Sequence, residues 1–135
     1  RVIEKKDAAR GILRALSRNE AVGILIDQNV SPAEGVFVPF FGIPACAGKA
    51  FARLANHSGA PVIPGYAIWS EQENKYILCF EEPVEMTGDD EADTAQIHRR
   101  LEQIIRRYPD QWLWIHRRWK TRPPGEKPGE QEQGL

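Results

Sequence analysis

Acid–base and nucleophilic catalysis near neutral pH need a titratable side chain, usually histidine, held by a carboxylate. The chain contains three histidines, His57, His98 and His116. His57 ends a helical pattern and suits a surface or capping position, whereas His98 has Glu102 one helical turn further on. We expect His98 and Glu102 to form an exposed surface contact, worth roughly a few tenths of a kcal/mol. Because the sequence has no nucleophile elbow, phosphate loop or zinc-ligand spacing, these residues alone do not complete a catalytic centre.

A carboxylate, Asp27, and an amide, Gln28, directly follow the apolar run "AVGILI" at residues 21–26. A short continuous apolar run predicts a strand that is buried on both faces. Since α/β folds place functional groups outside the carboxyl ends of such strands, Asp27 is a candidate site residue. The alternative is that Asp27 only caps the following turn, as Asp often does. Position in the sequence does not decide between these interpretations.

The stretch "QWLWIHRRWKTRP", residues 111–123, combines three tryptophans with dense positive charge. Aromatic rings beside cations are typical of membrane interfaces, where rings lie at headgroup depth and cations meet phosphate. The same combination occurs in proteins that bind single-stranded nucleic acid. A third interpretation packs Trp112 and Trp114 into the core of a last strand and leaves the basic side chains in water. The basic side chains concerned are Arg117, Arg118 and Lys120.

Composition excludes several classes of protein. A length of 135 residues fits one domain, and a formal net charge of −1 gives no overall basic field, so nucleic acid is not the expected partner. The two cysteines, Cys46 and Cys79, are too few for a disulfide framework, and we expect neither a metal nor a cofactor. No apolar run approaches the roughly 20 residues that span a bilayer. The chain opens without an initiator Met, and we expect it to be part of a longer protein.

Strands and helices alternate along the sequence, so we predict an α/β fold with a mixed sheet flanked by helices. The clearest periodicity is a stripe of Ile97, Leu101, Ile104, Ile105 and Tyr108 on a helix that Pro109 stops. The other expected elements are a helix after Asp7, an edge strand or irregular loop around Pro39 at residues 36–44, a helix at 47–56 ended by Gly59, and an antiparallel strand pair at 60–69 and 75–82. Because apolar residues almost vanish after residue 122, we expect a domain over residues 1–122 and a disordered tail over 123–135.

Five sequence blocks follow one another in order: "GILIDQ", "GVFVPFFG", the small-residue helix "ACAGKAFARLANHSG", "GAPVIPGY" and "QWLWIHRRWK". With these blocks the sequence resembles the C-terminal half of the bacterial lipid A biosynthesis acyltransferases, the lauroyl and myristoyl transferases that complete the lipid anchor of lipopolysaccharide. The resemblance implies a glycerolipid-acyltransferase-like fold. It also implies transfer of a fatty acyl chain from acyl carrier protein to a hydroxyl of a lipid A precursor, at the cytoplasmic face of the inner membrane.

The sequence departs from that family at the catalytic motif. In the family, an active histidine is followed by four residues and then Asp or Glu, and the carboxylate orients the imidazole that deprotonates the acceptor hydroxyl. The positions five residues after the three histidines hold Val62, Gln103 and Thr121. We therefore expect the motif to lie upstream of Arg1 and the chain to be inactive alone. The fold would then be incomplete, with an unpaired sheet edge that favours self-association.

The resemblance makes Asp27 a supporting catalytic residue that positions the catalytic histidine or an acceptor group. It implies that residues 36–42 form an apolar wall for the acyl chain. It also implies that the basic residues contact phosphate, the membrane or the acidic surface of acyl carrier protein. Gly35 and Gly42 are expected to bracket the bend. The candidate substrate-binding residues are Gln28, Gly35, Phe37, Pro39, Phe40, Phe41, Gly42, Arg117, Arg118 and Lys120. Two alternatives stay open: acyl transfer to another glycolipid, and a non-catalytic module that binds a membrane or nucleic acid through its Trp/Arg patch.

Overall fold

The structure is a computed structural model that describes residues 2–3 and 8–126. The predicted cap Asp7 and residues 127–135 of the predicted tail lie outside the described residues. The helices are α1 (Ala8–Leu16), α2 (Ala50–Ser58) and α3 (Asp90–Arg107), and the strands are β1 (Gly35–Phe40), β2 (Ile43–Gly48), β3 (Gly65–Ser70) and β4 (Lys75–Phe80). Two single 3₁₀ turns, Pro109–Gln111 and Trp114–His116, follow α3.

The four strands form two separate antiparallel hairpins rather than one mixed sheet. In the first hairpin β1 pairs with β2, and the two turn residues Phe41 and Gly42 have φ values of 52° and 77°. Positive φ at both central residues is the turn geometry that matches the twist of paired strands. The second hairpin, β3 with β4, confirms the predicted antiparallel pair. The α/β class is confirmed, whereas the single mixed sheet is not found among the described residues.

The apolar run at residues 21–26 is not a strand, so this prediction was wrong. A strand needs a neighbour for its backbone N–H and C=O groups, and no strand in the described part of the chain pairs with this run. Leu25 is 84% exposed, and Ile26 is the residue that packs against a core cluster. Asp27 therefore follows a segment that is not paired with any strand of the described residues, rather than the end of a sheet strand.

Helix α3 confirms the strongest periodicity and begins at a well-formed cap. The Asp89 side chain accepts hydrogen bonds from the backbone N–H groups of Glu91 and Ala92, which satisfies two donors of the first turn. Asp93 is buried beside this cap, and burial alone would raise the pKa of its carboxyl. Hydrogen bonds from the backbone and hydroxyl of Thr87 and from the amide of Asn56 outweigh that effect and lower the pKa.

Two apolar clusters hold the elements together. The first joins α2 and α3 through Ala55, Val62, Val84 and Ile97. In the second, Phe40 and Ala45 of the first hairpin pack on Ile105 of α3, and Trp112 and Trp119 close the cluster from the C-terminal side. The C-terminal segment after α3 is therefore part of the core, and it crosses the first hairpin next to the segment that carries Asp27.

Candidate functional site

Asp27 and Gln28 lie on a segment without regular secondary structure, residues 21–34, that side-chain contacts hold in place. On one side of Asp27, the carbonyl oxygen of Ile26 lies 3.3 Å from Nε2 of His98. On the other side, the amide of Asn29 donates to Oγ1 of Thr121 at 2.8 Å, and the Thr121 N–H donates back to Oδ1 of Asn29 at 3.2 Å. Asp27 is half-buried between these two anchors.

His98 is 2% exposed, so the predicted exposed contact with Glu102 was wrong. Its Nδ1 lies 2.8 Å from the carbonyl oxygen of Thr94, and burial lowers the pKa of its imidazole, with the charge of Arg118 acting in the same direction. Glu102 instead accepts from the Phe41 N–H at 2.7 Å. The sequence did carry the signal: His98 lies one residue after Ile97, three before Leu101 and seven before Ile105, which places it on the buried stripe.

Arg118 is 1% exposed, so its predicted position at a cleft, a membrane or in water was wrong. Its Nη1 donates to the carbonyl oxygen of Cys46 at 2.7 Å, and its guanidinium carbon lies 5.4 Å from the centre of the Phe40 ring. Nε and Nη2 have no hydrogen-bond partner in the part of the chain that the structure describes. Burial lowers the pKa of Arg118, while the charges of Cys46 and Asp27 oppose that effect. Arg117 and Lys120 are exposed as predicted.

The aromatic run of the first hairpin divides between core and surface because successive strand residues face opposite sides. Val38 and Phe40 are buried, whereas Phe37 is half-buried and Pro39 is exposed. Phe40 therefore belongs to the core and does not form an open wall. Phe41 is half-buried, and Gly42 forms the turn.

Gly35 lies at a close approach rather than in the bend. A Cβ at this position would come within 2.6 Å of a methyl carbon of Val30 and within 2.7 Å of the Ala47 carbonyl oxygen. The segment that carries Asp27 therefore closes directly onto the first strand of the hairpin. Only glycine allows that approach without a shift of the neighbouring backbone.

The Trp-rich stretch does not form the predicted last strand. Trp112 and Trp119 pack on Phe40, with ring centres 5.8 and 5.7 Å away, and Nε1 of Trp119 donates to the Phe40 carbonyl oxygen at 3.3 Å. Trp114 and its neighbours Leu113 and Ile115 remain exposed, Ile115 by 82%. Two of the three indoles thus pack against the core, and one stands at the surface beside exposed Arg117.

A groove of about 540 Å³ is lined by the neighbours of Asp27 on both sides but not by Asp27 itself, and it brings together two of the predicted site residues, Gln28 and Lys120. Its lining mixes apolar and polar side chains. The apolar lining residues include Ile24, Leu25, Ile26, Val30 and Phe51. The polar lining residues include Gln28, Asn29, Ser31, Lys120 and Thr121. Such a lining suits a ligand that has both a hydrocarbon part and a polar part. The described residues hold no group of three His, Cys, Asp or Glu placed to bind a metal ion.

Comparison with known proteins matches residues 1–121 to a family described as bacterial lipid A biosynthesis acyltransferase. The chain belongs to this family. The match confirms the resemblance predicted from the five sequence blocks. The relatives that match the chain are named as acyltransferases of lipid A biosynthesis. Along the described residues, no helix is both long and apolar enough to cross a bilayer.

Three relatives show how much of a family member the chain represents. It is 32% identical over 127 residues to the lipid A biosynthesis lauroyltransferase of Escherichia coli (strain K12), covering 92% of this chain and 41% of the relative. It is 37% identical over 119 residues to the lipid A biosynthesis palmitoleoyltransferase of the same organism, covering 87% and 39%. A lipid A biosynthesis acyltransferase of Haemophilus influenzae is 29% identical over 131 residues, covering 94% and 42%. The chain spans about two fifths of the length of these curated relatives.

Proposed function

We propose that this chain is the C-terminal part of an enzyme that transfers a fatty acyl chain from acyl carrier protein to a hydroxyl of a lipid A precursor. The enzyme would act at the cytoplasmic face of the inner membrane. The observation that carries the proposal is the family match over residues 1–121, together with relatives named for lauroyl and palmitoleoyl transfer in lipid A biosynthesis. The groove beside Asp27 supports it, because its mixed lining suits an acylated glycolipid.

In this proposal the general base is a histidine from a part of the enzyme that this chain does not contain. Asp27 orients that imidazole or the acceptor group, and it stabilises the imidazolium that forms when the acceptor hydroxyl loses its proton. The place of Asp27 supports such a role, because its charge acts on the neighbouring His98 and Arg118 side chains and would act in the same way on an imidazolium. Gln28 and Lys120 would contact the polar part of the acceptor, and Lys120 suits a phosphate.

Acyl chain contacts would come from the groove and from the outward face of the first hairpin. Phe37, Pro39 and Phe41 keep exposed or half-buried surface, whereas Phe40 acts through packing. The packing of Trp112 and Trp119 against the core disfavours the nucleic-acid alternative, because bases stack on exposed rings. Arg117 and Trp114 remain the residues suited to the inner-membrane surface or to acyl carrier protein.

The proposal is tested by transfer of labelled laurate from acyl carrier protein to a lipid A precursor with a free hydroxyl. We expect the complete protein to catalyse the transfer and the 135-residue chain alone to give none. Laurate on coenzyme A serves as the donor control, and an ornithine lipid serves as the acceptor control. Transfer to the ornithine lipid without transfer to the lipid A precursor would replace this proposal with acylation of another lipid.

A further inference from the structure

Residues 118–121 form a brace across the segment that carries Asp27. Arg118 binds β2 through the Cys46 carbonyl oxygen, and Trp119 binds β1 through the Phe40 carbonyl oxygen. Thr121 then binds the Asp27 segment itself: its Oγ1 donates to the Val30 carbonyl oxygen at 3.1 Å. These contacts therefore tie one short stretch to both strands of the hairpin and to the segment beside them.

The contact between Asn29 and Thr121 is reciprocal, which fixes orientation as well as distance. The Asn29 amide group both donates to and accepts from Thr121, across 92 positions of sequence. Two hydrogen bonds in opposite directions resist rotation about either one. Because Asn29 lies two residues after Asp27, this pair restricts the backbone from which the Asp27 and Gln28 side chains project.

Residues 21–34 are anchored at separate points rather than along a strand ladder in the described part of the chain. Hydrogen-bond contacts at the carbonyl oxygens of Ile26, Val30 and Ser31 and at the side chain of Asn29 hold the segment in place. A segment held by few contacts opens locally at a free energy well below that of global unfolding. Loss of one anchor should therefore displace the segment without unfolding the domain.

We propose that Thr121, acting with Asn29, is the positioning residue for Asp27 and Gln28. The inference rests on the proposed acyl transfer for its kinetic consequence, but the brace itself is a property of the fold. It assigns a function to the C-terminal stretch. Arg118 and Trp119 fix the stretch against the core, and Thr121, held at that position, binds the segment that carries Asp27.

The decisive variant is Thr121→Val, which keeps the shape of the side chain and removes Oγ1. In the complete protein we expect kcat for acyl transfer to fall about tenfold or more, with KM within about twofold, because a displaced catalytic group lowers the rate more than it weakens binding. Thr121→Ser keeps the hydroxyl and should restore kcat to within about threefold of the unmodified value. Asn29→Ala removes the same contact from the other side and should give the loss seen with Thr121→Val.

A double-mutant cycle separates positioning from general damage. In an Asp27→Asn background, Thr121→Val should cost little further activity, because its effect passes through Asp27. Thr87→Val is the matched control, since it removes a hydroxyl that binds Asp93 and Asp89 but none that binds residues 21–34. If Thr121→Val caused the same fold loss with and without the Asp27→Asn substitution, the proposal would be overturned.

Amide hydrogen exchange gives a readout that does not need activity. We expect Thr121→Val to speed exchange at residues 27–31 about tenfold while the amides of α3 keep their rates. If the complete protein shows no acyl transfer but this local change occurs, the proposed function fails and the brace stands. The brace is wrong if the complete protein transfers the acyl chain while Thr121→Val and Asn29→Ala both keep the amide exchange rates and the kcat of the unmodified protein.

Discussion

Arg118 is a buried guanidinium with two nitrogens that find no hydrogen-bond partner among the described residues, and it is the residue-scale feature that most needs an energetic account. One nitrogen of Arg118 donates to the Cys46 carbonyl oxygen, and its guanidinium carbon lies 5.4 Å from the centre of the Phe40 ring. Attraction between a cation and an aromatic face contributes roughly 0.5–2 kcal/mol, more when water is excluded. The aliphatic stem also fills volume between the hairpin and the C-terminal segment. Arg118 therefore stabilises the fold through packing as well as charge.

Replacement of Arg118 should show which of these contributions dominates. Arg118→Ala leaves a cavity and frees the Cys46 carbonyl oxygen, and we expect it to lower the free energy of unfolding by about 2–4 kcal/mol. Arg118→Met keeps most of the volume and removes the buried charge, so its loss should be under about 1.5 kcal/mol. Urea unfolding measures both. Arg117→Ala, at the exposed neighbour, should stay within about 0.5 kcal/mol; equal losses for Ala and Met at position 118 would contradict the packing account.

The buried imidazole of His98 makes stability depend on pH. Burial lowers its pKa in the folded protein below the value of about 6.5 in the unfolded chain, so the unfolded state binds the proton more readily. Stability contributed by the neutral ring is complete above about pH 6.5 and is lost as pH falls from there toward the lower folded pKa. We expect His98→Gln to flatten the fall in unfolding free energy between about pH 6.5 and 5. His57→Gln, at an exposed site, should leave the slope unchanged; an unchanged slope for His98→Gln would sink the prediction.

At the scale of elements, sequence patterns correctly predicted the helix and the turn whose formation depends on residues close together in the chain. The stripe from Ile97 to Ile105 predicted α3 because one helix face packs on the core, and the polar stretch at residues 70–74 predicted the turn of the second hairpin. The run at residues 21–26 failed because a strand exists only where a neighbour pairs with it. An apolar run carries no information about whether that neighbour is present.

The candidate site was predictable only in part for the same reason. Asp27 and Gln28 stand out locally as polar residues after an apolar run, and Lys120 stands out as part of a basic cluster. The convergence of Gln28 and Lys120 on one groove depends on contacts between residues about ninety positions apart, such as Asn29 with Thr121. Charge alone also misled for Arg118, because an arginine with a carbonyl acceptor and an aromatic face can be buried.

The close approach between the segment that carries Asp27, residues 21–34, and the first hairpin gives a prediction at the scale of elements. Gly35→Ala would place a Cβ 2.7 Å from the Ala47 carbonyl oxygen, which is backbone and cannot rotate away. We expect a loss of about 1–3 kcal/mol in unfolding free energy, together with weaker protection of residues 27–31 from hydrogen exchange. Gly23→Ala is the matched control, because a Cβ there meets no atom within 4 Å. Equal urea midpoints for the two variants would show that the segment does not pack this closely.

At the scale of the whole molecule, the two hairpins differ in how much of their apolar surface is covered by other elements. One face of the first hairpin is covered by α3 and by the C-terminal segment, so Val38 and Phe40 are buried. The second presents Tyr76, Leu78 and Phe80 on one face of β4, and these side chains are 71%, 64% and 69% exposed. Their partners across the ladder, Trp69, Ala67 and Gly65, lie on the same face. Contiguous apolar surface of this kind is a typical site of association.

That surface predicts the behaviour of the 135-residue chain in solution. We expect the chain to self-associate at concentrations of roughly 100 µM, because burying large apolar side chains against a second copy contributes about 25 cal/mol per Å². Leu78→Glu places a charge at the centre of the face and should shift the chain toward monomer. Ala33→Glu adds the same charge at an exposed position outside that face, so it separates loss of apolar surface from a change of net charge. Size exclusion with light scattering measures the mass of each. Only the Leu78 substitution interrupts the apolar surface of this face. The prediction fails if the unmodified chain is monomeric. It also fails if Ala33→Glu dissociates the chain as far as Leu78→Glu does.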